Sequence, residues 1–305
     1  MWTFLDRSVA RLQRVQRSIR SRFPFADHLW RAVVRYDALD GGRFAAAMAY
    51  YGFFAILAMV VIGFAVLGQV FQDNALVVKS VTDYLRANLP QLETEELIAS
   101  GGRLGIVALV GLVIAGVAWV DNLRSSQRAL WRLDQQPGNP IIRWLIDLGV
   151  LVGLALLLLT SVSIFSGVQD LLLRLIGEAE ESPLRVILRG SNVLVAGLVD
   201  VILGSALLAG VPRLRMTMRR LLPSALLFAG GFGLLKTLGK FYITRMEHNP
   251  AYQVAAGTVG LLVSMYLLHQ VLLFAATLAA TSQHGRVVDL ASGRPPREIE
   301  PDPPE

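Results

Sequence analysis

Asp147, Asp200 and Lys236 stand inside long apolar runs, and their placement asks for a chemical reason. Asp147 lies six residues into one run, about 9 Å deep at the helical rise per residue. Asp200 lies ten residues from either end of another, about 15 Å from each interface. Lys236 sits near the outer end of a third. In lipid such groups are costly, about 2.5–3.5 kcal/mol for an Asp at the helix centre, and they mark internal pairs or substrate and ion pathways. Arg143 precedes Asp147 by four residues on one helical face, which predicts a local ion pair. Ala196, Gly197 and Gly204 share the face of Asp200 and permit close helix contact, so Asp200 is expected to face the protein interior. Lys236 either snorkels outward or serves as the partner of Asp200. Tyr50 and Tyr51, near the inner end of the first run, read as interfacial belt residues or as further pathway candidates.

Covalent chemistry finds little support. Cysteine is absent, which removes disulfides, Cys-ligated metals and Cys nucleophiles. His28, His248, His269 and His284 are scattered, without metal-ligand spacing. No Ser-His-Asp grouping and no GxSxG elbow is found. Gly239-Lys240 is followed by Phe241, so it opens no phosphate loop. Gly230-Gly231-Phe232-Gly233 imitates a dinucleotide fingerprint, but it lies inside an apolar run and follows no strand; close helix packing explains it better. No enzyme, cofactor or metal is expected.

The elements that carry these residues are membrane spans. Of 305 residues, 54% are hydrophobic and 17% charged, against about 25% charged in a soluble domain. Six apolar runs approach or exceed the roughly 20 residues that cross a bilayer: Phe44–Val70, Leu104–Val120, Ile141–Phe165, Gly190–Gly210, Leu221–Gly239 and Val254–Ala280. The expected fold is an all-α polytopic membrane bundle of six transmembrane helices, with amphipathic N-terminal and outer-loop helices. Residues 1–43 form a basic cytoplasmic segment, 44–282 the transmembrane domain, and 283–305, rich in proline and charge, a disordered cytoplasmic tail.

Basic residues fix the orientation. Twenty Lys and Arg flank the spans on one side and eight on the other, which puts both termini in the cytoplasm. Along residues 3–20, apolar Leu5, Val9, Leu12, Val15 and Ile19 oppose Arg11, Arg14, Arg17 and Arg20, the pattern of a helix lying on anionic headgroups. Arg213, Arg215, Arg219 and Arg220 crowd a ten-residue loop without acids and are headgroup candidates too. Ala26–Ala38 reads as a short helix, residues 121–140 as a cytoplasmic loop, and Ala75–Leu89 as part of a helical outer cap. The expected partners are membrane lipids, with self-association left open. Nucleic acid is not expected, because no aromatic stacking platform accompanies the basic helix.

Several of these stretches resemble the YihY/BrkB family of bacterial inner-membrane proteins, also labelled ribonuclease BN-like. Residues 42–55, Gly-Arg-Phe-Ala-Ala-Ala-Met-Ala-Tyr-Tyr-Gly-Phe-Phe-Ala, are similar to that family's first-span motif. Asn122-Leu123-Arg124 through Ala129-Leu130-Trp131, Arg219-Arg220-Leu221-Leu222-Pro223-Ser224-Ala225, and Asn249-Pro250-Ala251-Tyr252 with Gly257 extend the likeness over roughly residues 30–282. The Arg-rich loop and the Trp131 segment place it nearest the YhjD-like branch. Ala55 and Ala58 replace a customary Ser and Pro, and Thr277 replaces a Glu, so a mechanism built on that Glu does not transfer. The resemblance implies a helical inner-membrane protein of envelope integrity. Intramembrane Asp147 and Asp200 add the expectation of a passive or ion-coupled transporter, or a lipid-translocating protein, with no ATPase. The alternative is a non-transporting scaffold that binds lipids or partner proteins. The ribonuclease label has no clustered carboxylates or histidines to support it.

The topology is open to test. Reporter fusions after Arg35, at Ser125, at Met216 and after Gln283 should report cytoplasm, and fusions near Glu93, Glu180 and His248 the outer side. One inverted reporter inside this series removes a span.

Overall fold

The computed structural model describes residues 24–70, 101–154, 197–246, 250–291 and 297–299. Its helices are α1 (Pro24–Ala38), α2 (Gly41–Val70), α3 (Gly101–Leu130), α4 (residues 140–154), α5 (residues 197–205), α6 (Met218–Met246) and α7 (Pro250–Ala280). A single π-helical turn, Ala206–Gly210, closes α5. Three short strands, β1 (Leu214–Met216), β2 (Val287–Asp289) and β3 (Arg297–Glu298), form an antiparallel sheet in that order, with Leu214 opposite Asp289 and Met216 opposite Val287. The basic N-terminal helix, with Arg11, Arg14, Arg17 and Arg20, and the outer-loop helices lie outside the described residues.

α7 is the central post. It packs against α1, α2, α3 and α6, while α2 packs along α3. The core mixes small and large residues: Ala45, Ala225, Ala275 and Ala276 beside Met48, Leu123, Phe228, Leu272 and Leu273. Among the described residues two helical stretches, Met218–Gly239 and Gly257–Ala280, are long and apolar enough to cross a membrane. Only 28% of each is buried. An apolar helix buried in a soluble core would show the reverse, so the outward Leu222, Leu226, Leu234, Leu238, Val259 and Val263 are suited to lipid.

Two expectations change. Residues 121–130 are not loop: α3 runs ten residues beyond its apolar stretch, because Leu123, Arg124, Gln127, Arg128 and Leu130 turn one face inward and are almost wholly buried. The described part of the tail is not disordered either. Val287 is fully buried against Trp131, Leu214, Ala279 and Ala280, and Asp289 is 2% exposed. Proline-rich composition reports local propensity and is blind to such distant partners.

The glycine cluster in α6 divides sharply. A β-carbon on Gly231 would stand 2.5 Å from Val271 Cγ1, whereas Gly230 and Gly233 have nothing within 4 Å. Gly231 is thus the point where α6 meets α7. Gly231→Ala should destabilise the purified protein by about 1–3 kcal/mol, the usual effect of overpacking. Gly230→Ala should be neutral or stabilising, since alanine is the better helix former. Thermal unfolding in detergent separates the two; equal melting points would remove this contact from the fold.

Candidate functional site

The π turn at the end of α5 shows why one end of the bundle is dense in polar contacts. Val211 N–H donates to the Ala206 carbonyl, five residues back, and Pro212 has no N–H to give. The Leu207 carbonyl therefore lacks its usual donor, and Gln127 Nε2 from α3 supplies one at 3.1 Å. The same logic repeats around it. Arg220 donates to the Ala279 carbonyl (2.7 Å), which also accepts the Ser282 N–H, and to the Ala280 carbonyl (2.9 Å) at the end of α7, and its guanidinium lies 5.2 Å from the centre of the Trp131 ring. His28 Nε2 donates to the Leu278 carbonyl at 2.9 Å and ties α1 to the same helix end.

Two Arg–Asp forks hold this end together. Arg124 and Arg128, one turn apart on α3, are each 1% exposed. Arg124 binds both oxygens of Asp147 through Nε and Nη2, each at 3.0 Å, and also meets Asp121 and the Gln135 carbonyl. Arg128 binds both oxygens of Asp289 at 2.9 and 2.8 Å, and donates to the Asp134 and Pro212 carbonyls. Bidentate pairing of this kind is the strong form of the interaction. Burial pushes the Asp289 carboxyl up, but the Arg128 fork and the Ala291 N–H outweigh it, and Asp289 sits below the ordinary carboxylate range. Arg213 is depressed, first by burial and then by the charge of Arg124, while Asp147, 3.8 Å away, acts in the opposite direction.

The residues singled out in the sequence fall into separate places. Asp147 is buried, but its partner is Arg124 and not Arg143. Arg143 turns to the Gln136 carbonyl (3.2 Å) and stands 3.8 Å from Asp121. The four-residue spacing sees only one helix, and the fork from α3 offers two donors in the carboxylate plane. Arg220 is 2% exposed and consumed by backbone carbonyls, so it is not available to headgroups. Arg213 is half-buried, and Arg215 and Arg219 are exposed. Asp200 on α5 meets Lys236 on α6 at 2.6 Å; the Asp side chain is 10% exposed and the Lys 46%, with its ammonium 4.6 Å from the Phe232 ring centre. Tyr50 lies on the outside of α2, edge-to-face with Tyr51 and Phe54, apart from both acids. Thr277, at the family's Glu position, is buried and donates to the Leu273 carbonyl of its own helix.

Sequence reasoning missed two features. His269 accepts a hydrogen bond from Trp119 Nε1 at 2.9 Å and donates from Nδ1 to the Met265 carbonyl at 2.7 Å, linking α3 to α7; no local spacing announces a partner 150 positions away. A cleft of about 610 Å³ opens between α3 and α4, and Asp121, Gln136, Arg143 and Asp147 form its polar end.

Comparison with known proteins now has geometry to attach to. Residues 32–300 match the family model described as Virulence factor BrkB. The chain belongs to this family. It is similar to the inner membrane protein YhjD of Escherichia coli (strain K12), 23% identical over 279 residues, or 86% of this chain and 83% of that protein. A protein of Dickeya dadantii is 24% identical over 275 residues, covering 85% and 84% of the two chains. A UPF0761 membrane protein of Rhodospirillum rubrum is 25% identical over 258 residues, 82% of this chain and 57% of that one. No solved structure matches. The BrkB family match, the membrane-protein relatives and the outward apolar helices together make this a helical membrane protein. The forks stand within the matched region, Arg128–Asp289 joining a position in its first half to one near its end.

Removing one partner of a buried fork leaves an unpaired buried charge, which costs about 3–5 kcal/mol. Asp289→Asn and Arg128→Gln should each destabilise by that order, and the double variant by less than the sum. Urea unfolding in detergent checks both. Because Asp289 ionises more readily folded than unfolded, its contribution is complete above the ordinary carboxyl value of about 3.9 and is lost as pH falls through the lower folded value. The melting point of wild type should therefore fall toward that of Asp289→Asn in acid and stay well above it near neutrality.

Proposed function

We propose that the protein is a six-span inner-membrane carrier, both termini cytoplasmic, that moves a charged or amphiphilic substrate passively or by ion coupling, without ATP and without covalent chemistry. The Asp200–Lys236 pair carries this reading. It joins α5 to α6 beside the contact of Gly204 with Phe228, and an uncharged pair of similar volume often holds two helices as well. An ionisable pair inside spans is by default a site of exchange. Lys236 is half-exposed and has room to swing away when a cation, a proton or a charged substrate competes for Asp200. Support also comes from the sequence, which has no phosphate loop and no nucleophile–base grouping. The topology draws support from α1, the 131–139 turn, β1 and the tail, because the segments read as cytoplasmic converge on one end of the bundle.

A scaffold is the second reading, favoured by the rigid, arginine-locked end and by outward Arg215 and Arg219. Charge exchange separates the two. In a carrier, Asp200→Asn should elute and melt like wild type yet fail to restore envelope resistance in cells lacking the protein, and the swap Asp200→Lys with Lys236→Asp should regain stability without regaining function. In a scaffold the swap should restore both. A functional swap would sink the carrier.

A further inference from the structure

The α3–α4 cleft borders the Arg124–Asp147 fork but is lined mostly by groups that neither fork nor the Asp200–Lys236 pair uses. It straddles the point where α3 changes character, from the apolar run that ends at Val120 to Asp121 and Asn122. On the apolar side its walls are Ile114, Val117 and Trp144; Ile114 is 65% exposed and Trp144 46%, while Val117 is buried. On the polar side stand Asp121, Gln136, Arg143 and Asp147, both carboxylates being engaged by Arg124, with Pro140 opening the positive end of α4. A ligand that fits must itself be apolar at one end and polar at the other.

Charge decides the polar end. Three arginines, Arg124, Arg143 and Arg213, surround two carboxylates, Asp121 and Asp147, which leaves one positive charge in surplus. Arg124 spends four of its five donors on both acids and a carbonyl. Arg143 spends fewer: among the described residues it donates from Nη1 to the Gln136 carbonyl, and the nearest carboxylate oxygen is 3.8 Å away, beyond hydrogen-bond reach. A guanidinium has five donors in a fork that matches a phosphate. Arg213 also has buried donors without hydrogen-bond partners among the described residues, Nε and Nη2, but it does not line the cleft, so Arg143 is the arginine that presents spare donors to the groove.

We propose that the α3–α4 cleft binds one anionic phospholipid, with its phosphodiester on Arg143 and an acyl chain along Ile114, Val117 and Trp144. Trp144 makes the site visible, because bromine on an acyl chain quenches a neighbouring indole. The full chain is reconstituted in phosphatidylcholine vesicles doped with acyl-brominated phosphatidylglycerol or acyl-brominated phosphatidylcholine, and the Trp144 signal is taken as the difference from Trp144→Phe. Brominated phosphatidylglycerol should half-quench Trp144 at about fivefold lower mole fraction than brominated phosphatidylcholine, the weight of one basic side chain at an anionic lipid. Arg143→Gln should abolish that preference, and Arg143→Lys, which keeps the charge and loses the fork, should keep part of it. Ala118→Phe, which fills the cleft and leaves Arg143 untouched, should remove it as well. Equal quenching by the two lipids in wild type, or an undiminished preference in Arg143→Gln or Ala118→Phe, would overturn the proposal. Relief of quenching by soluble glycerol phosphate would also overturn it, in favour of a free phosphate ligand. The site is independent of the carrier reading: lost preference with intact complementation leaves the carrier standing, and the Asp200 variants should retain the preference.

Discussion

A guanidinium taken out of water must have acceptors for its donors, and most of the architecture at one end of this bundle follows from that constraint. Arg124 and Arg128 sit on the inward face of α3, almost without solvent. Neither can shed its charge, so each must import a carboxylate and carbonyls. Arg124 fixes where α4 lies, by holding Asp147, and where the 131–139 turn runs, by holding the Gln135 carbonyl. Arg128 brings a residue 161 positions away onto α3, and with Asp289 comes the strand β2 that pairs with β1. Arg220 does the same for the end of α7. Arginines counted in the positive-inside bias of the sequence thus also pack this end of the bundle.

Legibility in the sequence follows the range of the interaction. Apolar runs are local, so α2, α6 and α7 lie where hydropathy puts them, and Lys236 was already a named partner for Asp200, whose burial the small residues around it imply. The helical face also made Arg143 the natural partner of Asp147, and there it misled: the i,i+4 rule compares residues on one helix, whereas a fork from a second helix offers both donors in plane. The extension of α3 past Val120 was hidden because its charges read as solvated loop until their partners are known. Asp289 was hidden for the same reason, inside a tail whose prolines speak for disorder. His269 carries no local signal at all, since its ring is satisfied by an indole on another helix.

The two kinds of ion pair in the molecule differ in a way that bears on motion. Each fork has two short bonds, two buried partners and further carbonyl acceptors, so opening one exposes several unsatisfied groups together, at about 3–5 kcal/mol for each charge left unpaired. Asp200–Lys236 has one bond, and the ammonium already sees its surroundings and an aromatic face that holds it after separation. An alternating-access cycle runs on differences of a few kcal/mol between states. Breaking both forks exceeds that scale and breaking the single pair does not. A cycle in this chain would therefore keep α3, α4, the sheet and the tail as a fixed frame and place its rearrangement at the α5–α6 contact. That contact is also where Gly204 lies so near Phe228 that an added β-carbon would stand 2.7 Å from the ring. Phe228 fills the space that Gly204 leaves, so the two helices approach closely beside the Asp200–Lys236 pair.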